Sequence, residues 1–272
     1  MSGSDKTTAT RRTSKPIAQL TLDNAKTAAI IQEMANRIAK QFNPLQVTLF
    51  GSFARGDQRP DSDIDLLVVL PEIENKHRAI VDIRRALADL AMAKDVVVTT
   101  PAEIKGRGEL IGTILRPALR EGKVLFRRRG WRPELGMNDG ERLDDTRRWL
   151  RYASDDLRFG EATHRDSDTP PRYACFQAQQ SAEKALKAIL IFEQIDFPRT
   201  HNVADLMALV PDSWQAVRRL SDVATLTSWA VQARYPDALR DATDAEAASA
   251  LEQARAVWDA VSSEFLARGI NS

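Results

Sequence analysis

A glycine-serine pair and three aspartates are the residues of this sequence whose types and spacing could do chemistry. Gly51-Ser52 ends one short apolar run, and Asp63-Ile64-Asp65 opens the next. Glycine permits a sharp turn whose backbone N–H groups can face phosphate oxygens, and a serine hydroxyl adds a donor. If Asp63 and Asp65 lie on a strand, its period of two puts both carboxylates on one face and Ile64 in the core. Adjacent carboxylates repel and stay ionised with a cation between them. Magnesium, held by a few carboxylates plus substrate phosphates, fits that place. A third carboxylate is expected from a neighbouring strand, and Asp95, ahead of Val96-Val97-Val98, is the candidate. Arg55 and Arg59 can meet a triphosphate or shape the loop; Asp57 and Asp61 lie in that loop without a fixed register. A phosphate cradle beside metal-binding carboxylates is what nucleotidyl transfer requires. The plainer alternative is a Gly-Ser turn with a solvated aspartate pair.

A second polar set lies further on. Gln180, Glu183, Lys184 and Lys187 recur at i, i+3, i+4 and i+7 along a helical pattern, with Ala178, Ala182, Ala185, Ile189 and Phe192 on an apolar flank. By spacing alone this stripe reads as a solvated face with an internal Glu183–Lys187 pair, worth about 0.3–0.5 kcal/mol. Thr200 or Asn202 can cap the next helix, with His201 between them as a structural or a catalytic group.

The elements that must position these groups follow from periodicity. Ala28, Ile31, Met34, Ala35, Ile38 and Phe42 predict a helix over 22–42, stopped by Pro44. Strands are predicted at 47–50, 64–70, 95–99 and 123–126, with helices at 76–91 and 112–121. Beyond 141 only helical patterns remain, at about 141–163, 171–194, 202–209, 213–234 and 244–267. The organisation is thus a tail over 1–20 read as disordered, an α/β or α+β domain over 21–128, a Gly/Pro/Arg-rich linker over 129–140 and an all-α bundle over 141–268.

Composition narrows the partners. Of 272 residues, 39 are basic and 38 acidic, so net charge favours neither nucleic acid nor membrane. No apolar run nears the roughly 20 residues that span a bilayer, and no signal-like segment opens the chain. One cysteine, Cys175, excludes an internal disulfide and a Cys-rich zinc site. A cytoplasmic protein is expected.

Val47-Thr-Leu-Phe-Gly-Ser-Phe-Ala-Arg-Gly, followed by Ser62-Asp-Ile-Asp-Leu-Leu-Val, resembles the minimal nucleotidyltransferases of the DNA polymerase β superfamily over about residues 28–126. The resemblance implies a small mixed-sheet domain, ATP or another nucleoside triphosphate as donor, and Mg²⁺ (or Mn²⁺). It implies Asp63, Asp65 and Asp95 as metal ligands and catalytic carboxylates, Asp95 as general base, and Gly51, Ser52 and Arg55 at the nucleotide. Tyr173-Ala-Cys-Phe-Gln-Ala-Gln-Gln-Ser-Ala-Glu-Lys-Ala-Leu-Lys with Thr200-His-Asn is similar to the HEPN helical bundle over about 141–268. By that likeness Gln180, Glu183, Lys184, Lys187 and His201 face a groove. Many such bundles are ribonucleases with Arg followed four to six residues later by His. Here only Arg158 and His164 have that spacing, in the bundle's first helix, so RNA is the less favoured partner.

The expectation is an α+β transferase that moves AMP from ATP to an acceptor hydroxyl on a small molecule or a protein. The fused layout looks like kanamycin nucleotidyltransferase, with the helical domain presenting the acceptor. The alternatives are a fused toxin–antitoxin-type module, in which a tyrosine such as Tyr173 or Tyr235 is modified, and a non-catalytic nucleotide-binding protein. A homodimer through the helical half is expected, with Trp214, Trp229 and Trp258 as interface or as core.

Overall fold

The computed structural model describes residues 17–59, 61–198, 200–220, 223–229 and 241–271. Ile31, Met34, Ala35 and Ile38, spaced three and four apart, are all buried and form the inner stripe of α1 (Ile17–Phe42). That helix begins before the position that spacing suggested, inside the stretch read as a tail; residues 1–16 lie outside the described ones. A four-stranded mixed sheet follows: β1 (Gln46–Phe50), β2 (Ile64–Val69), β3 (Lys94–Thr99) and β4 (Lys123–Arg127), in the order β3-β2-β1-β4. β1 runs antiparallel to β2 and β4, and β2 runs parallel to β3. A parallel pair needs a crossover, and α3 (Lys76–Ala86) supplies it. All of β1 and nearly all of β2 are buried, and most of their residues are apolar, with Gln46, Thr48 and Asp65 the exceptions. Between them Gly51–Arg55 forms one turn of helix, α2, which periodicity did not reveal.

α3 stops short of the predicted residue 91. The Lys94 ammonium donates to the carbonyls of Leu87 and Leu90, at 2.5 and 2.7 Å, and so satisfies acceptors just past the helix end.

Contacts divide the chain into two compact units, Met1–Thr100 with Glu121–Arg132 and Pro101–Arg120 with Pro133–Ser272. The second unit holds α4 (Pro101–Arg107), α5 (Leu115–Arg120), α6 (Asp139–Arg165), α7 (Arg172–Phe192), α8 (Val203–Leu209), α9 (Gln215–Arg218) and α10 (Asp244–Ala267). Its core is built on α6, α7 and α10, where Ala153, Ala178, Ala182, Ala185, Ala250 and Ala254 are buried among larger apolar side chains. Phe192, Trp214 and Phe265 close one end with edge-on ring contacts, 4.7–6.1 Å between centroids. Trp214 is fully buried, and Trp229 and Trp258 pack partly buried against the same core. All three indoles thus contribute to the bundle's own core, Trp229 and Trp258 only in part.

The continuous helix predicted over 213–234 does not form among its described residues. α9 is four residues long, and Val223–Ser228 is a 3₁₀ turn. The Thr227 hydroxyl accepts from the Val203 N–H at 3.0 Å and donates to the Asn202 side chain at 3.1 Å, while Thr225 reaches Gln253 at 2.7 Å. β-branched residues whose hydroxyls are committed to neighbouring elements compete with helix formation.

The short helices α4 and α5 are bound into the second unit. Asp145 is 4% exposed and accepts two bonds from Arg107, at 2.6 and 2.7 Å, and one from Arg148 at 2.7 Å. Arg116 forms a two-pronged pair with Asp196. Gly112 has φ +81°, and a Cβ there would lie 2.5 Å from Ile191, so neither its backbone nor its space suits another residue. Part of the predicted linker is held as well: the Glu109 N–H donates to the Gly136 carbonyl and the Asn138 N–H to the Gly106 carbonyl.

Candidate functional site

The Gly-Ser turn and the aspartates converge because β1 ends where β2 begins. Phe50 pairs with Asp65 in the antiparallel register, and Asp65 pairs with Asp95 in the parallel one. Asp65 and Asp95 therefore stand side by side on adjacent strands, about 5 Å apart at the backbone, and outside the core that takes Ile64, Leu66, Val96 and Val98. Gly51 has φ +70°, and a Cβ on it would fall 2.0 Å from Asp65 Oδ2. Only glycine lets the turn close onto that carboxylate. Asp65 is half-buried, whereas Asp63 is exposed and sits one residue ahead of β2. Ile64 between them is fully buried.

The remaining residues shape the rim. Arg55 is turned onto Asp57, 3.1 Å away, at the exposed end of α2. The Ser52 carbonyl accepts from the Gly56 and Asp57 N–H groups at 2.8 and 3.2 Å, which closes the short helix. The Arg59 N–H donates to the Ser62 hydroxyl at 2.8 Å, and Arg59 thus serves the loop through its backbone. Asp95 is bound by a residue that sequence reasoning did not single out: Arg84 Nη2 donates to Asp95 Oδ1 at 2.7 Å. Its only sequence signal is a basic residue in the last turn of the helix before β3.

Among the described residues no three His, Cys, Asp or Glu side chains are gathered closely enough to hold a metal by themselves. Magnesium does not ask for such a cage, since one or two carboxylates plus substrate phosphates suffice. The hard oxygen donors of Asp63 and Asp65, beside a turn that only glycine can make, fit that ion bound with a nucleotide.

In the helical unit the predicted polar stripe is split. Glu183 and Lys187 are buried, at 4% and 9% exposure, so their pair is no solvated face. Glu183 accepts from Gln179 and Lys187, each at 2.7 Å, and lies 3.1 Å from Nδ1 of His201, whose side chain is 58% exposed. Burial pushes the Glu183 carboxyl up, but the bonds and charge of Lys187, with Gln179 and His201, outweigh it and hold it below the usual carboxylate range. The Lys187 ammonium also lies between the Trp149 and Phe197 rings, 5.8 and 5.7 Å from their centroids. Lys184 instead pairs with Asp156 on α6, whose carboxyl is raised by burial in spite of that ammonium. Gln180 is half-buried and donates to Gln179 at 2.7 Å.

Gln179, Asp156, Trp149 and Phe197 are members that sequence reasoning missed. Gln179 could have been found in the Gln-Gln pair; the others depend on how α6 and the 197–201 loop meet α7. Asn202 is the cap of α8, accepting from the Ala204 and Asp205 N–H groups, and Thr200 accepts from Asn202. Arg158 is paired with Asp155 rather than directed to His164. Tyr235 lies outside the described residues, and Tyr173 is 46% exposed.

Residues 31–119 match the family model of the nucleotidyltransferase domain, and residues 146–264 that of the HEPN domain. The chain is a nucleotidyltransferase domain fused to a HEPN domain, with a mixed sheet in the first and a helical bundle in the second. No curated protein matches it. Among solved structures, TT1696 from Thermus thermophilus is 30% identical at a TM-score of 0.35, covering 44% of this chain and 97% of that one. ST0689, an archaeal HEPN homologue, is 26% identical at a TM-score of 0.33, covering 43% of this chain and 93% of that one.

Proposed function

We propose that this protein is a magnesium-dependent nucleotidyltransferase that moves AMP from ATP to an acceptor hydroxyl on a small molecule or a protein. The observation that carries this reading is the closure of Gly51 onto the Asp65 carboxylate, with Asp95 in register beside it. Asp63 and Asp65 would hold the magnesium ion, which supplies positive charge against the triphosphate. The backbone N–H groups of the Gly51-Ser52 turn and the Ser52 hydroxyl bind phosphate oxygens. Asp95 accepts the proton of the acceptor hydroxyl, whose oxygen forms a bond to the α-phosphorus as the bond to the bridging oxygen breaks and pyrophosphate leaves. Arg55, on the rim, is available to the outer phosphates.

Incubation with ATP labelled at the α-phosphate, Mg²⁺ and a panel of hydroxylated acceptors tests the reading. Label should move to an acceptor in the native protein and not in Asp65→Asn. Transfer unchanged in Asp65→Asn would overturn it.

A second reading has one observation in its favour. Tyr173 is exposed near the start of α7, with Arg172 over its ring at 4.7 Å, so a tyrosine hydroxyl of the HEPN domain is a candidate acceptor. Mass spectrometry after incubation with Mg-ATP would reveal a peptide heavier by one AMP at Tyr173, and an unmodified peptide removes this reading.

A further inference from the structure

We propose that Arg84 is a resident counter-cation for Asp95 and takes the place at that carboxylate which a second divalent ion would otherwise occupy. A nucleotide is then held with one divalent ion, on Asp63 and Asp65. This rests on the nucleotidyltransferase reading above and sharpens it.

Asp65 and Asp95 face each other across the parallel pair β2/β3. Two carboxylates so placed repel unless positive charge lies beside them. Many phosphoryl-transfer sites meet that need with two metal ions about 3.5–4 Å apart. This chain already carries a charge at the spot. Arg84 donates through Nη2 to Asp95 Oδ1 at 2.7 Å. Ile83 within α3 and Leu87 at its C-cap are fully buried and anchor the backbone from which Arg84 extends. Arg85, the next basic residue, is directed elsewhere, to Asp82 at 3.2 Å. A guanidinium cannot be titrated off near neutral pH. It also has five N–H donors, so the bond to Asp95 leaves others for a phosphate oxygen.

The rival account is an exposed surface ion pair of no consequence. The side chains are 50% and 59% exposed, and such pairs contribute little to stability. Stability is therefore the wrong readout, and metal stoichiometry is the right one. A divalent ion approaching Asp95 must displace or face the guanidinium, whatever the pair is worth to folding.

The test counts Mn²⁺ by electron paramagnetic resonance as it is titrated into the full-length protein with saturating α,β-methylene-ATP, which cannot transfer AMP. The native protein should bind one Mn²⁺ per bound nucleotide. Arg84→Ala should bind a second at least tenfold more tightly than the native protein does, and Arg84→Lys, which keeps the charge, should stay at one. Circular dichroism and the melting temperature establish that each variant is folded, and should Arg84→Ala fail that check, Arg84→Gln is counted in its place. Two Mn²⁺ in the native protein, or the same count and affinity in Arg84→Ala, overturn the role of Arg84 and leave the transferase reading standing. Failure of the native protein to bind Mn²⁺ and nucleotide together overturns the transferase reading, and this inference with it.

Discussion

At Gly51 two independent demands meet in one residue. Its φ of +70° is one that other residues rarely adopt, and a Cβ would collide with Asp65 Oδ2 at 2.0 Å. Gly51→Ala should therefore move Asp65 or open the turn. The backbone penalty alone is about 1–3 kcal/mol. Nucleotide binding by titration calorimetry should fall at least tenfold, while the melting curve still shows a folded protein; unchanged binding would sink the idea that turn and carboxylate act together. Glu183 allows a second forecast. Its folded carboxyl is held below the ordinary value by Lys187, Gln179 and His201 against the effect of burial. A depressed carboxylate adds stability above its unfolded pKa of roughly 4.3 and loses it as pH falls through the lower folded value. Glu183→Gln leaves the Lys187 ammonium buried without its partner and should cost about 3 kcal/mol at pH 7. The deficit should shrink as pH falls below the unfolded value of roughly 4.3, where the unfolded carboxyl takes up its proton while the folded one still resists. Denaturant melts at pH 7 and pH 3.5 read both, and a deficit independent of pH would contradict the assignment. That Gly51, Asp63, Asp65 and Asp95 fall together at neighbouring strand ends was legible, because short apolar runs and a glycine after a strand are local signals. Arg84 and Asp156 were not, since an arginine in a helix and an aspartate among many charges acquire meaning only from a neighbouring element.

Among elements, those with a long unbroken period were readable, and those fixed by partners were not. The core stripe of α1 and the four strands follow from side-chain pattern alone. α2 and α4 are too short to carry a period, and the Thr225 and Thr227 hydroxyls bind neighbouring elements where Val223–Ser228 forms a 3₁₀ turn in place of the predicted helix. α4 also shows how an element is held when its own apolar surface is small. Only Ile104 is buried within it, and Arg107 does much of the anchoring through Asp145. Arg107→Ala would leave Asp145, 6% exposed in its side chain, to Arg148 alone. Breaking a buried pair costs about 3–5 kcal/mol, and the remaining arginine argues for the lower end. Chemical denaturation should report a loss near 3 kcal/mol, with Arg107→Lys, which keeps the charge but loses the fork, in between. A loss under about 0.5 kcal/mol would mean that α4 is held by something else.

Across the whole molecule, the family boundary and the physical boundary disagree. The nucleotidyltransferase model runs to residue 119, yet residues 101–120 belong by contact to the helical unit. The chain therefore leaves the sheet after β3, contributes α4 and α5 to the other unit, and returns to add β4 beside β1. Each unit keeps its own hydrophobic core, so the helical unit could fold apart from the sheet, but not with equal stability from every starting point. A fragment of residues 133–272 lacks Arg107 and Arg116, which pair with Asp145 and Asp196, and the Gly112 backbone that covers Ile191. A fragment of residues 101–272 keeps all three. The difference, at least the roughly 3 kcal/mol expected for Arg107 alone, corresponds to a melting temperature about 6–12 °C lower in a unit of this size. Differential scanning calorimetry of the two fragments measures it, and an insoluble shorter fragment beside a folded longer one points the same way. Equal melting temperatures would mean that α4 and α5 merely rest on the bundle, and that the HEPN domain is complete from residue 133.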